Sequence, residues 1–299
     1  MNRWLALLLL AACGDDATPA LDAGMDAASV DASTDAAEGS DAGEEGPVRV
    51  FASVGGSNEG IAAGFNLAGD PVLFVSLLDG PLVEIGIDGS VNTLATLDSP
   101  LGIAVRDDGS LVVCVDGGLV SLALDGTVTP LVETGTDQPF EITNYVVIAP
   151  DGSLVFSDSE ADRVYRTQAD GSAIELITDA INYPNGLAFI GNRLLVASYE
   201  GEAVYGADFA DGVFGEFTID IPNVDFVDGV VAADDGSVYL VTSTDGVLRS
   251  TDESVEALID PRAIFLPANG TFGSAGFPED TLYVTSLGTR EVFAIDLTP

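Results

Sequence analysis

A glycine-led motif recurs along the chain at a nearly constant interval, and this interval restricts the possible folds more than any other feature. Gly60, Gly102, Tyr145, Gly186, Gly229 and Gly270 each begin a short apolar run. Their successive spacings are 42, 43, 41, 43 and 41 residues. A stronger β-type run follows each marker: Val72–Ser76, Leu111–Val115, Leu154–Ser157, Leu194–Ser198, Val238–Ser243 and Leu282–Ser286. β-branched and aromatic residues favour strands, and Asp-Gly pairs at Asp88, Asp108, Asp125, Asp151, Asp170, Asp211 and Asp235 supply tight hairpin turns. No segment after residue 47 sustains a 3.6-residue apolar period. Several strands per 40–45-residue repeat read as propeller blades. The expected fold is all-β: a six-bladed β-propeller over residues 47–299.

The same pattern predicts how the ring closes. Five repeats carry a fourth apolar run, such as Ala173–Ile177, whereas the sixth ends at Pro299 after its third. The run Pro47–Ala52 precedes the first marker and is free to complete the last blade. That pairing would remove two open sheet edges.

Residues 1–46 are of a different kind. One positive charge, Arg3, precedes the apolar run Trp4–Leu10, which is too short to span a bilayer but suits a secretory signal. It ends in Leu10-Ala11-Ala12-Cys13, which resembles a bacterial lipobox. Residues 1–12 therefore read as a lipoprotein signal peptide and Cys13 as the lipidated N-terminus. Residues 14–46 hold ten acidic residues, no basic ones and no aromatics. With Cys13 they read as a disordered tether, since such a segment buries too little apolar surface to fold. Its span as a coil would be roughly 30 Å. The expected location is the bacterial cell envelope, facing periplasm or surface. Gly14 after Cys13 favours the outer membrane over the inner.

Composition excludes much chemistry. The chain has 49 acidic residues against nine basic ones, all Arg, with no Lys and no His. A net charge of −40 argues against nucleic acid and anionic membrane surfaces as partners. Without His or Lys there is no Ser-His-Asp triad, imidazole base or Schiff base. Cys114, in a Leu-Val-Val-Cys-Val run, reads as a small buried hydrophobe.

The residues before the six markers are Glu59, Leu101, Asn144, Asn185, Asp228 and Asn269. Five of the six are carboxylates or carboxamides in one phase of the repeat, which propeller symmetry brings to a common centre. Two carboxylates with amide oxygens suit a hard divalent cation: Ca²⁺ first, then Mg²⁺ or Mn²⁺.

These motifs carry a resemblance. Asn58-Glu59-Gly60, Asn144 before Val146–Gly152, Tyr183-Pro184-Asn185-Gly186-Leu187-Ala188-Phe189, Asp228-Gly229, and Asn269–Gly273 with Leu282–Ser286 look like the senescence marker protein/gluconolactonase/luciferin-regenerating enzyme family. The family includes regucalcin and is related to diisopropylfluorophosphatase. The resemblance implies one divalent cation held by Glu59, Asn144, Asn185 and Asp228, with Asp228 doubling as base or nucleophile. Two departures concern the substrate. Ile142 stands where family lactonases often have an Arg contacting the sugar, and Tyr145 where an Asp usually follows the Asn. The expected function is hydrolysis of a small-molecule lactone or ester by a monomer bound to its membrane only through a lipid. The alternative is a non-catalytic binding propeller with a structural cation or none.

Overall fold

The computed structural model describes residues 47–133, 138–251 and 254–298. The signal peptide, Cys13 and the tether lie outside the described residues. The described chain forms six antiparallel sheets arranged as the blades of a propeller. Among these residues no helix is long and apolar enough to cross a membrane.

The blades follow chain order. Their innermost strands are Asn58–Phe65, Ile103–Val105, Thr143–Ile148, Pro184–Ile190, Val227–Ala232 and Pro267–Phe272. Each inner strand contacts those of the two neighbouring blades, and the sixth contacts the first, so the ring is closed. The second strands are buried almost throughout, which explains their unbroken apolar runs. Fourth strands face solvent and are more polar. The fourth blade carries one extra short strand, Val213–Phe214.

Ring closure follows the expected route. Val48–Ser53 pairs antiparallel with Glu291–Asp296, making the first described strand the outermost strand of the last blade. Phe51 from this strand packs edge-on against Tyr283 at 5.0 Å and Phe277 at 6.0 Å. Offset and edge-on aromatic pairs of this kind add to simple area burial.

The core is divided rather than continuous. Six buried apolar clusters occur among the described residues, each lying between one blade and the next. Twisted sheets facing one another in a ring must bury both faces, and this is the physical source of the repeat. The turns behave as their Asp residues suggest. Asp88, Asp108, Asp125, Asp151, Asp170 and Asp235 each accept a hydrogen bond from the backbone N–H two residues on. The following glycines take the positive φ that such turns require.

Candidate functional site at the propeller axis

Each inner strand carries an irregularity at its entrance. Against the second strand, two residues oppose one: Glu59-Gly60 face Ser76, Asn144-Tyr145 face Ser157, and Asn185-Gly186 face Ala197. In the fifth blade Asp228-Gly229 face Val241, and in the sixth Ala268-Asn269 face Thr285. Leu101 and Gly102 exchange backbone hydrogen bonds with Cys114 in the second blade. Bulges of this kind re-aim side chains.

This register corrects the expectation for the sixth blade. The residue equivalent to Glu59, Asn144, Asn185 and Asp228 is Ala268, and Asn269 takes the marker position. Two further repeats agree. Thr285 accepts from the Asn269 N–H and donates to the Glu59 carbonyl, just as Ser157 links the Tyr145 N–H to the Asn185 carbonyl. The carbonyl two residues before each site position accepts from a turn N–H in five blades: Ser57, Ile142, Tyr183, Phe226 and Leu266. Gly270 simulates a marker because it directly follows Asn269. The ring at the axis is therefore Glu59, Leu101, Asn144, Asn185, Asp228 and Ala268, with four polar members.

The marker glycines have a steric cause. A methyl group at Gly60 would lie 2.1 Å from the Leu101 carbonyl oxygen, and one at Gly186 would lie 2.5 Å from that of Asp228. Each inner strand abuts its neighbour's site residue too closely for a side chain. Tyr145 and Asn269 break the rule in opposite blades. Both side chains are buried, and the Asn269 N–H donates to Thr285. Asn269 also accepts a bond from the Gly270 N–H through its Oδ1. Cys114 occupies the place held elsewhere by Ser76, Ser157 and Thr285, and burial pushes its thiol well above the ordinary range. This fits its reading as a buried hydrophobe.

The four polar members are all buried. Asn144 Oδ1, Asn185 Oδ1 and Asp228 Oδ1 have no hydrogen-bond partner in the protein. No hydrogen bond joins the Asn185 and Asp228 side chains, but Asn185 favours the charged form of Asp228. Burial raises the Asp228 carboxyl to about 7, against the opposing pull of Asn185. Burial, reinforced by Asp228, raises Glu59 well above the carboxylate range. Two buried carboxyls and two amide oxygens form a hard-oxygen donor set. No cluster of three or more His, Cys, Asp or Glu residues suited to a metal exists among the described residues, so a cation here would depend on the amides.

A pH dependence follows. Unfolded carboxyls titrate near pH 4. With Asp228 raised to about 7, the folded chain binds more protons than the unfolded chain between those values. Stability should therefore fall as pH rises from about 4 to about 7, by a few kcal/mol at most. The turn aspartates are held below the usual range by Ser and Thr donors and act in the opposite sense, below about pH 4. Melting in EDTA across this range checks the point, and saturating Ca²⁺ should remove the fall. A melting temperature that climbs steadily from pH 4 to 8 in EDTA would contradict the burial of both carboxyls.

Residues 67–288 match the family model described as SMP-30/Gluconolactonase/LRE-like region. The chain belongs to this family. The fold agrees with solved structures of such proteins. A gluconolactonase from Xanthomonas campestris superposes with a TM-score of 0.72 at 23% identity, covering 84% of this chain and 89% of that one. A calcium-binding protein, regucalcin, from Agrobacterium tumefaciens gives 0.68 at 16%, with coverages of 83% and 92%. A luciferin-regenerating enzyme gives 0.69 at 14%, with coverages of 83% and 94%. At these identities the likeness carries the fold alone. No curated protein sequence matches the chain.

Within this SMP-30/gluconolactonase-like propeller, Glu59, Asn144, Asn185 and Asp228 occupy one bulge position of their inner strands, while Asn269 stands one position deeper. Two neighbouring residues carry no repeat signal in the sequence. Tyr199 and Phe226 sit at the channel mouth beside Tyr183, with ring centroids 5.7 Å (Tyr183–Tyr199) and 5.4 Å (Tyr199–Phe226) apart. The only sequence cue was position, since Phe226 directly precedes an inner strand and Tyr199 directly follows a second strand.

Proposed function

We propose that this protein is a divalent-metal-dependent hydrolase of lactones or related esters. One observation supports this above the others: three buried acceptor oxygens, on Asn144, Asn185 and Asp228, lack partners at the same repeat position. Each such group costs about 1–3 kcal/mol when left unpaired, so their convergence points to a ligand that completes them. The donor set fits Ca²⁺ best, with Mg²⁺ or Mn²⁺ as smaller alternatives.

The residues divide the work. Glu59, Asn144, Asn185 and Asp228 would hold the cation. When bound, that cation supplies Lewis-acid polarisation of the substrate carbonyl and offsets negative charge developing on its oxygen. Asp228 acts as general base, its free Oδ1 accepting a proton from the attacking water. Asn185 opposes the effect of burial on Asp228 and so favours the carboxylate that a base needs. Leu101 and Ala268 keep the remaining sectors of the ring apolar.

Assay of γ- and δ-lactones and aryl esters tests this reading. Turnover should appear with Ca²⁺, Mn²⁺ or Mg²⁺ and vanish with EDTA. Turnover that persists after exhaustive chelation would overturn the metal dependence. No turnover under any condition would favour a binding propeller.

The lipoprotein reading is part of the proposal. Lipidation at Cys13 and the acidic tether would hold the propeller at the cell envelope, on the outer membrane in preference to the inner. Cys13→Ser should shift the protein from the membrane fraction to the soluble fraction. Unchanged fractionation would remove the anchor from the account.

A further inference from the structure

The channel mouth has a sided chemistry. Ser57, Ile142, Tyr183, Phe226 and Leu266 each immediately precede an inner strand, and Ser99 holds the corresponding place in the second blade. Small polar residues thus mark the first two blades, and large apolar or aromatic ones mark blades three to six.

A left-handed backbone fixes three members of the apolar arc, and Ser99 on the polar side shares it: Tyr183, Phe226, Leu266 and Ser99 take φ of 47°, 50°, 48° and 46°. Bulky residues rarely adopt this region, and they persist there only when the surroundings enforce it. The enforcing bonds are present. The Tyr183 N–H donates to Asp162 at 2.7 Å. The Tyr183, Phe226 and Leu266 carbonyls accept from Tyr199, Ser243 and Leu287. Tyr199 stands between Tyr183 and Phe226, and its hydroxyl lies 3.3 Å from Ser243 Oγ.

This arc borders the ring of four. Tyr183 stands two residues before Asn185, and Phe226 stands two residues before Asp228. Phe226 remains 42% exposed and Phe265, next to Leu266, 60% exposed. A polyhydroxylated ring would find few hydrogen-bond partners on such a surface. Ile142 offers none from its side chain.

Resting on the hydrolase reading, we propose that the substrate is an apolar lactone or ester. Its alkyl or aryl group lies on Tyr183, Tyr199 and Phe226, and its carbonyl faces Glu59, Asn144, Asn185 and Asp228. The reaction is hydrolysis. A water oxygen bonds to the acyl carbon as Asp228 takes one of its protons. The acyl C–O bond breaks, and Asp228 returns that proton to the departing oxygen, which leaves as a hydroxyl. The acid gives its remaining proton to solvent and is released as its anion. In a lactone both products remain one hydroxy acid.

The experiment uses γ-butyrolactone, γ-hexalactone, γ-octalactone, γ-decalactone and D-glucono-δ-lactone, with wild type and Phe226→Ser, Tyr199→Ser and Phe265→Ser. In wild type, kcat/KM should rise about two- to fourfold per added methylene. γ-Decalactone should exceed the gluconolactone. The slope against chain length should flatten in Phe226→Ser and Tyr199→Ser. Reading a slope separates lost recognition from general loss of activity, and melting curves identify any variant that fails to fold. Preference for the gluconolactone, or a slope unchanged in both variants, overturns the proposal. If no lactone is hydrolysed, the hydrolase reading fails, and calorimetric binding of the same lactones decides this inference separately. Tighter binding of γ-decalactone than γ-butyrolactone, weakened by Phe226→Ser, sustains it. Equal or absent binding overturns it.

Discussion

Asp228→Asn is expected to lower kcat by about 10²–10⁴-fold, the usual contribution of a positioned general base. The exchange keeps size and an acceptor oxygen but removes the basic carboxylate. Loss of the base and loss of the cation are separable. Glu59→Gln removes the same charge from the same ring and should weaken cation binding, with turnover recovering as cation concentration is raised. Asp228→Asn should remain slow at saturating cation. The substitution should not lower the stability of the cation-free protein, because Asp228 and Glu59 repel one another while buried. An Asp228→Asn enzyme within threefold of wild-type kcat at saturating cation would remove Asp228 from the chemistry.

Gly60→Ala is expected to have the largest structural effect of any single methyl group at the axis. The new carbon would lie 2.1 Å from the Leu101 carbonyl oxygen and 3.0 Å from Ser76 Oγ. Ser76 itself bonds the Gly60 N–H at 2.8 Å and the Leu101 carbonyl at 2.7 Å. No side-chain rotation relieves a clash with backbone, so the first and second blades must separate. The cost should be about 3 kcal/mol or more, as for severe overpacking. For a domain of this size that is roughly a 6–12 °C fall in melting temperature. Ala at Gly55, whose added carbon meets nothing within 4 Å, is the control for backbone strain alone, since its φ is +86°. A Gly60→Ala protein that melts with wild type would mean that the blades do not meet as closely as described.

These two residues also show why the fold was readable from sequence. The period was visible because Gly60, Gly102, Gly186 and Gly229 are each required by a neighbouring backbone. A steric rule that repeats with the blade leaves a repeating letter. Ring closure was readable because the sixth repeat lacks a strand and Pro47–Ala52 could supply one. The equivalence of Glu59, Asn144, Asn185 and Asp228 was readable through the same phase, since each stands at the bulge of its inner strand. The sixth blade was misphased for a local reason: Asn269 fills a marker place that is elsewhere mostly Gly, and Gly270 next to it imitates the signal. The register against Thr285 decides the matter, and register is not written in a single strand. The mouth was least readable. Tyr199 reaches it from the turn after a second strand, and Phe226 through a left-handed backbone, neither of which leaves a periodic trace.

The central claim is that Glu59, Asn144, Asn185 and Asp228 form one cation site. Calcium titration of the EDTA-stripped protein by calorimetry, with Asn144→Ala and Glu59→Gln alongside, tests it most directly. The expected result is one Ca²⁺ per chain in wild type, with affinity sharply reduced in both variants. No saturable binding in wild type, or binding that both variants leave unchanged, would contradict the account.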